Sequence, residues 1–195
     1  DETAEYNAAN ALINGGCKLI SQHADSMGAP NACESAGIPN VSYNGSTFEA
    51  CPDTFIVSSR INWAPYYKYI IAQMAKAGND ATKANVDKDW TGTIKTGSVV
   101  LTNVGGGAAA EGTVEKIVEV REKLVKGQIH VFDTNTFTVN GKQLDANYKA
   151  DVDTDAAFAP DTIVVENGIF FESKHRSAPY FDVRIDGITL LNEKF

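Results

Sequence analysis

The chain has 195 residues, 43% of them hydrophobic and 22% charged, with a formal net charge of −8. That leaves room for one comfortable domain or two small ones around an ordinary core. The acidic balance, with no cluster of Lys or Arg, argues against nucleic acid or an anionic membrane as partner, and no apolar run approaches the roughly 20 residues of a spanning helix. Cys17, Cys33 and Cys51 lack metal-type spacing, so no metal is expected. A Cys33–Cys51 bridge would suit an oxidising compartment, and buried free thiols fit the sequence equally well. The start, Asp1-Glu2-Thr3-Ala4-Glu5, has no basic and apolar leader pattern, so either export is absent or a leader and more lie upstream.

Residues 1–15 read as a helix with Ala4, Ala8, Ala11 and Leu12 on one face, stopped by Gly15-Gly16. A strand at 17–22 follows, then a helix from Met27 to Ala36 ended by Gly37, then a strand over 38–42. Phe55–Ser59 is the third strand candidate. From Trp63 to about Ala77, Tyr66, Tyr67, Ile70, Ile71 and Met74 recur with helical period, Pro65 in the first turn. Strands alternating with helices of this length predict βαβ units and a parallel sheet.

Residues 79–96 are polar and aperiodic, with Trp90 as an anchor or lid aromatic. A strand is expected over 98–102, and Gly105-Gly106-Gly107 reads as a hinge or turn, since no phosphate-loop pattern surrounds it. Thr113 is placed to cap a helix reaching Val125, whose buried face would be Val114, Ile117, Val118, Leu124 and Val125. Beyond it the pattern turns to β, with strands expected at 129–132, 137–139, 162–165 and 181–185. Asn140-Gly141, Asn167-Gly168 and Asp186-Gly187 supply turns for a hairpin-rich tail. The predicted organisation is an α/β lobe over residues 1–97, followed by a helix and β-rich segment over residues 98–195.

If the first three strands are parallel, the polar and aromatic clusters after them emerge at one sheet edge, where open α/β sheets hold small ligands. His23 and Asp25 follow the first strand; they suit an acid/base pair, or hydrogen bonding to a ligand. No GxSxG or HExxH pattern and no cooperating carboxylate accompanies them, which favours binding over catalysis, with a small α/β enzyme using His23 and Asp25 as the rival. Tyr43 and Asn44 pair a stacking ring with an amide that both donates and accepts, suited to a nucleobase edge; an Asn-Gly turn with Tyr43 in the core is the alternative. Asn62 and Trp63 stand at a strand-to-helix junction beside Tyr66 and Tyr67. His130 and His175 read as structural or solvated, and the acidic run 151–155 lacks the glycine and glutamate of a calcium loop.

The succession Leu12-Ile13-Asn14-Gly15-Gly16, Gln22-His23-Ala24-Asp25-Ser26, Ala36-Gly37-Ile38-Pro39, Ser58 and Asn62-Trp63-Ala64-Pro65-Tyr66-Tyr67 resembles the basic membrane protein family. These are substrate-binding lipoproteins of ATP-driven importers, similar to purine-nucleoside receptors. The tail is similar too, in Gly127-Gln128-Ile129-His130-Val131-Phe132-Asp133, Arg176-Ser177-Ala178-Pro179-Tyr180-Phe181 and Arg184-Ile185-Asp186-Gly187-Ile188-Thr189. The resemblance implies a type I periplasmic-binding fold, a ligand clamped between two lobes, no cofactor and no reaction. It further implies that a lipidated start, a first lobe and the first strand of the second lobe lie upstream, that the partners are importer membrane subunits, and that the location is extracytoplasmic and membrane-anchored.

Carried over by position, Asp25 and the cluster after the second strand, Tyr43-Asn44, match the ligand-facing loops, and Trp63 matches an aromatic of the nucleobase-type branch. Asn44-Gly45 stands where many relatives have an acidic residue for a ribose hydroxyl, and Ile61 or Asn62 where nucleoside receptors carry Lys. The expected ligand is therefore a flat heterocycle, a purine base or nucleoside or a flavin, held by His23, Asp25, Tyr43, Asn44, Asn62 and Trp63. A fragment without binding activity is the remaining alternative.

Overall fold

In the computed structural model the first 43 residues alternate helix and strand as the pattern predicts, α1 (Glu2–Asn14), β1 (Ile20–Ser21), α2 (Gly28–Ala36) and β2 (Asn40–Tyr43), and β3 (Phe55–Ile61) follows β2 with no helix between them. The structure describes residues 1–105, 107–175 and 180–191. Gly106 of the glycine run and the 176–179 part of the family-like tail lie outside the described residues. The chain divides into two compact units, Asp1–Glu122 and Lys123–Phe195.

In the first unit, β1, β2 and β3 are parallel neighbours. After α3 (Ala64–Lys76), β4 (Val99–Leu101) returns antiparallel to β3, giving the order β1-β2-β3-β4. The parallel order brings the carboxyl ends of β1, β2 and β3 to one edge, as the sequence predicts. α2 stops where Gly37 takes φ 65°, a left-handed cap whose N–H returns to Cys33 O and Glu34 O.

α1 packs on α2 through a face that shares only Leu12 with the predicted one. Ala9 is buried and Tyr6, Leu12 and Ile13 pack beside it, while Ala4, Ala8 and Ala11 are exposed. The larger side chains remove more apolar area per residue, so they set the helix rotation. The contact is close: a Cβ on Gly28 would lie 2.3 Å from Glu2 O. Ser26 donates to Glu5 across the same junction.

α3 buries no residue completely, and Tyr67 and Ile71 of its apolar stripe stand 56% and 66% exposed. α4 (Thr113–Val125) likewise has no buried residue, with Val114 and Val118 on the surface. Thr113 is the first helical residue of α4, and its hydroxyl donates back to Ala110 O at 2.7 Å. Gly105, the first residue of the run read as a hinge or turn, is pinned against β3. It is buried, its N–H donates to Ile56 O at 2.7 Å, and a Cβ there would stand 2.4 Å from Phe55 O. The glycine is needed because backbone passes against backbone.

The second unit is built from two-residue strands. β5 (Phe132–Asp133), β9 (Ile169–Phe170) and β8 (Val165–Glu166) form one antiparallel sheet, and β6 (Lys149–Ala150) pairs with β7 (Thr162–Ile163). Glu172–His175 forms a short helix, α5. Asn167 and Gly168, both at positive φ, make the β8–β9 hairpin that an Asn-Gly pair favours. The Asn140-Gly141 turn also forms at positive φ but closes only a single antiparallel bridge, Val139 with Lys142, instead of a full ladder. Asp186-Gly187 turns too, but 181–185 is not a strand.

A side chain replaces the second ladder. The Asp186 carboxylate accepts from Thr138 Oγ1 at 2.5 Å, Asn140 N–H at 3.0 Å and Gly141 N–H at 2.8 Å. Phe181 packs against the core of Ala150, Val164, Val165 and Phe170. Its ring lies 4.6 Å from that of Phe132 and 4.8 Å from that of Phe170.

Candidate functional site

Two contiguous clusters stand at the carboxyl edge of β1 and β2. His23 lies two residues beyond β1, and its ring stacks on Tyr43 at the end of β2, with centroids 4.3 Å apart and planes 15° apart. Asn44 takes φ 70°, its N–H donates to Ser59 O at 2.7 Å, and its Nδ2 points to Asp25 Oδ1 at 3.4 Å. The left-handed turn that an asparagine tolerates thus brings the second cluster onto the first. His23, Asp25 and Asn44 are exposed and Tyr43 is half-buried, so the group offers an aromatic stack beside an acceptor and an amide.

Asn62 and Trp63 form a separate wall on the β3–β4 side. The Asn62 amide is already engaged: Nδ2 donates to Gly97 O at 3.0 Å and Oδ1 accepts from Ala64 N–H at 3.2 Å. That pairing starts α3 and ties it to the segment entering β4. One N–H and one lone pair of the amide remain.

Trp63 is 55% exposed and lies 6.4 Å edge-on from Tyr66, which lies 5.3 Å from Trp90. These three rings, with Asp87 and Ser98, border a cavity of about 420 Å³, within the range of small-ligand sites. Asp87 N–H donates to Tyr69 Oη at 2.9 Å, and Tyr69 stacks on Trp90 at 6.3 Å. The polar 79–96 segment is thereby held against α3 by aromatic contacts.

Sequence reasoning gave Trp90 only as an anchor or lid, and Asp87 carried no signal at all. The span from Asn62 to Trp90 conceals that both flank one concavity. Arg60, on β3, lines a second cavity together with Ser46 and Phe48.

The remaining titratable groups fit structural roles. Cys33 and Cys51 are buried free thiols, and Cys17 is exposed. Burial, reinforced by Cys51, pushes the Cys33 thiol to about 11; burial and then Glu34 raise Cys51. His175 is held below its usual range by burial and by Lys174, its ring lying 5.5 Å from that of Tyr180. Among the described residues no group of His, Cys, Asp and Glu is arranged to hold a metal ion, and no helix is long and apolar enough to cross a membrane.

No protein-family model matches the chain. It is similar to a Brucella abortus protein named as a purine-binding protein, 31% identical over 159 residues, which is 79% of this chain and 42% of that one. It is also similar to a Haloferax volcanii protein, TsgA13, provisionally named an ABC transporter glucose-binding protein. That similarity is 25% identity over 137 residues, or 70% of this chain and 33% of the relative. The chain therefore spans well under half the length of either relative. Among solved structures, an ABC transporter system solute-binding protein from Conexibacter woesei aligns at a TM-score of 0.49 and 19% identity, covering 67% of this chain and 42% of that chain. Over most of its length the chain is thus similar to solute-binding proteins, those of ABC transporters among them, and these relatives are named for binding rather than for a reaction.

Proposed function

We propose that the chain is the ligand-gripping part of an extracytoplasmic solute-binding protein, a member of the basic membrane protein family, that delivers a flat heterocycle to an ATP-driven importer. The observation that carries this reading is the presence of two separate aromatic platforms along the carboxyl edge of the sheet. One is the His23–Tyr43 stack with its Asp25–Asn44 polar pair. The other is Trp63 over the cavity it shares with Tyr66 and Trp90. Parallel strand ends are where α/β sheets take ligands, and planar rings beside an acceptor and an amide suit a purine, whose edge alternates donors and acceptors.

In this reading Trp63 and Tyr43 stack on the ring, His23 backs Tyr43, and Asp25 and Asn44 bind its edge. Asn62 contributes the one N–H it has left. A second lobe, anchored with the membrane partner, closes over the ligand and signals the closed state to the importer. The purine-binding name of the Brucella relative favours a purine. The glucose-binding name of the Haloferax relative makes a sugar the competitor, since an exposed Trp63 would stack on a pyranose as well. Isothermal titration of the full-length protein with adenine, adenosine, riboflavin and glucose separates them. Heat with adenine or adenosine, lost in Trp63→Ala, is expected; heat with glucose alone, or with none of the four, overturns the heterocycle reading.

A further inference from the structure

We propose that the cavity of about 520 Å³ beside β3, walled by Arg60, Ser46, Phe48 and Asn103, is an oxyanion-binding subsite for a ligand that joins a carboxylate or phosphate to an apolar body. The proposal does not depend on the ligand read for the aromatic platforms.

Arg60 and Ser58 share one face of β3, because side chains alternate along a strand. Ser58 Oγ donates to Gly45 O at 2.7 Å, which holds the 44–48 loop over that face. Val100 stands opposite Arg60 on β4, and Gly105, bonded to Ile56 O, continues the wall. Arg60 is exposed, and its side chain lines this concavity.

Charge decides what that site accepts. Arg60 is the one charged residue among those lining the cavity, and it makes no ion pair among the described residues. The chain as a whole carries a net charge of −8, so this concavity is a locally cationic spot on an acidic protein. Two further donors face the same space. Ser46 Oγ accepts from Phe48 N–H at 3.2 Å, leaving its hydroxyl proton free to donate, and Asn103 brings an exposed amide.

Thr102, by contrast, is occupied: its hydroxyl accepts from Ser58 N–H at 2.9 Å and donates to Asn103 O. Phe48, 44% exposed and edge-packed on Phe55 at 6.4 Å, offers an apolar wall beside the donors. A planar guanidinium with neighbouring hydroxyl and amide donors matches the geometry of a carboxylate or phosphate oxygen pair and repels cations.

The test is a titration of the protein with benzoate, inorganic phosphate and benzylamine, followed by the side-chain signals of Arg60 and Asn103 in nitrogen–proton NMR spectra. Saturable shifts with benzoate, phosphate or both are expected, and none with benzylamine. Benzoate alone assigns a carboxylate ligand, and phosphate alone a phosphate ester. In Arg60→Gln the affinity should fall about tenfold or more, with Arg60→Lys recovering part of it. Asn103→Ala, on an exposed residue, gives a second reading should Arg60→Gln fold poorly, with a several-fold loss expected. Absence of shifts with both anions, equal response to benzylamine, or undiminished binding in Arg60→Gln and Asn103→Ala overturns the proposal.

Discussion

Replacing Thr54 by valine should unfasten β2 from the elements that flank it. Thr54 and Asn40 are each 2% exposed. Thr54 Oγ1 accepts from Asn40 Nδ2 at 2.9 Å and donates to Glu34 Oε2 at 2.5 Å, while Asn40 Oδ1 accepts from Ser42 Oγ at 3.1 Å. Valine keeps the shape and removes only the hydroxyl.

The buried Asn40 amide then loses its partner, a cost of about 1–3 kcal/mol, and a hydrogen bond to a carboxylate worth roughly 1.5–3 kcal/mol disappears. Glu34 offsets part of this, since it is half-buried and keeps Asp53 N–H at 3.2 Å. The net loss is about 2–4 kcal/mol, or roughly 8–16 °C in the melting temperature of a unit this size. Both tryptophans, Trp63 and Trp90, lie in the Asp1–Glu122 unit, so fluorescence-detected urea and thermal unfolding report on it. Combining Asn40→Leu with Thr54→Val should cost about 1 kcal/mol less than the sum of the two single changes, because neither variant then leaves an orphaned partner. A loss below about 0.5 kcal/mol for Thr54→Val, with strict additivity in the double variant, would refute the buried network as a determinant of β2.

Gly105→Ala should destabilise the same unit by about 1–3 kcal/mol, since a Cβ 2.4 Å from Phe55 O forces backbone apart; an unchanged urea midpoint would contradict that. Tyr148 donates to Asp182 Oδ1 at 2.9 Å, and burial, then Asp182, raises its ionisation to about 12. Because the folded value lies above the ordinary value of about 10, this contribution to stability is fully present below pH 10 and lost as pH rises toward 12. Tyrosinate absorbance should show the late titration, and Tyr148→Phe should abolish it. For the thiols, a colorimetric disulfide reagent should label Cys17 at once and Cys33 and Cys51 only after unfolding; labelling of Cys33 in the folded state would contradict its burial. At low pH the Asp186 clamp on Thr138, Asn140 and Gly141 should hold until its carboxylate, which these donors keep below the usual range, is protonated. Protection factors at Asn140 and Gly141, corrected for the intrinsic pH dependence of exchange, should therefore hold down to the ordinary aspartate range of about 4 and fall only below it, and a fall already at pH 6 would count against the clamp.

Much of the first unit was legible because its elements are signalled locally. Helical period, a glycine stop after each helix and short apolar runs predict α1, β1, α2, β2, β3 and α3 in order, with boundaries displaced by up to three residues. Strand alternation with helices also predicts the parallel edge on which His23, Asp25, Tyr43, Asn44, Asn62 and Trp63 all stand. In the second unit the Asn167-Gly168 hairpin was equally legible, since positive φ at both positions is a demand that few residue pairs meet.

Other features depend on partners that no local pattern names. Which face of α1 is buried was decided by where α2 stood, and the alanines lost to Tyr6, Leu12 and Ile13. The strand expected at 181–185 gave way because one carboxylate of Asp186 and the rings around Phe181 satisfied that segment without a ladder. The engagement of Asn62 with Gly97 and Ala64, the pairing of Trp63 with Trp90 across one cavity, and the placing of Arg60 among neutral neighbours all arise from contacts distant along the chain. A sequence states each residue's chemistry and its local conformational preference. Which groups share a concavity, and which are already used up in holding it together, is fixed only when the strands are laid side by side.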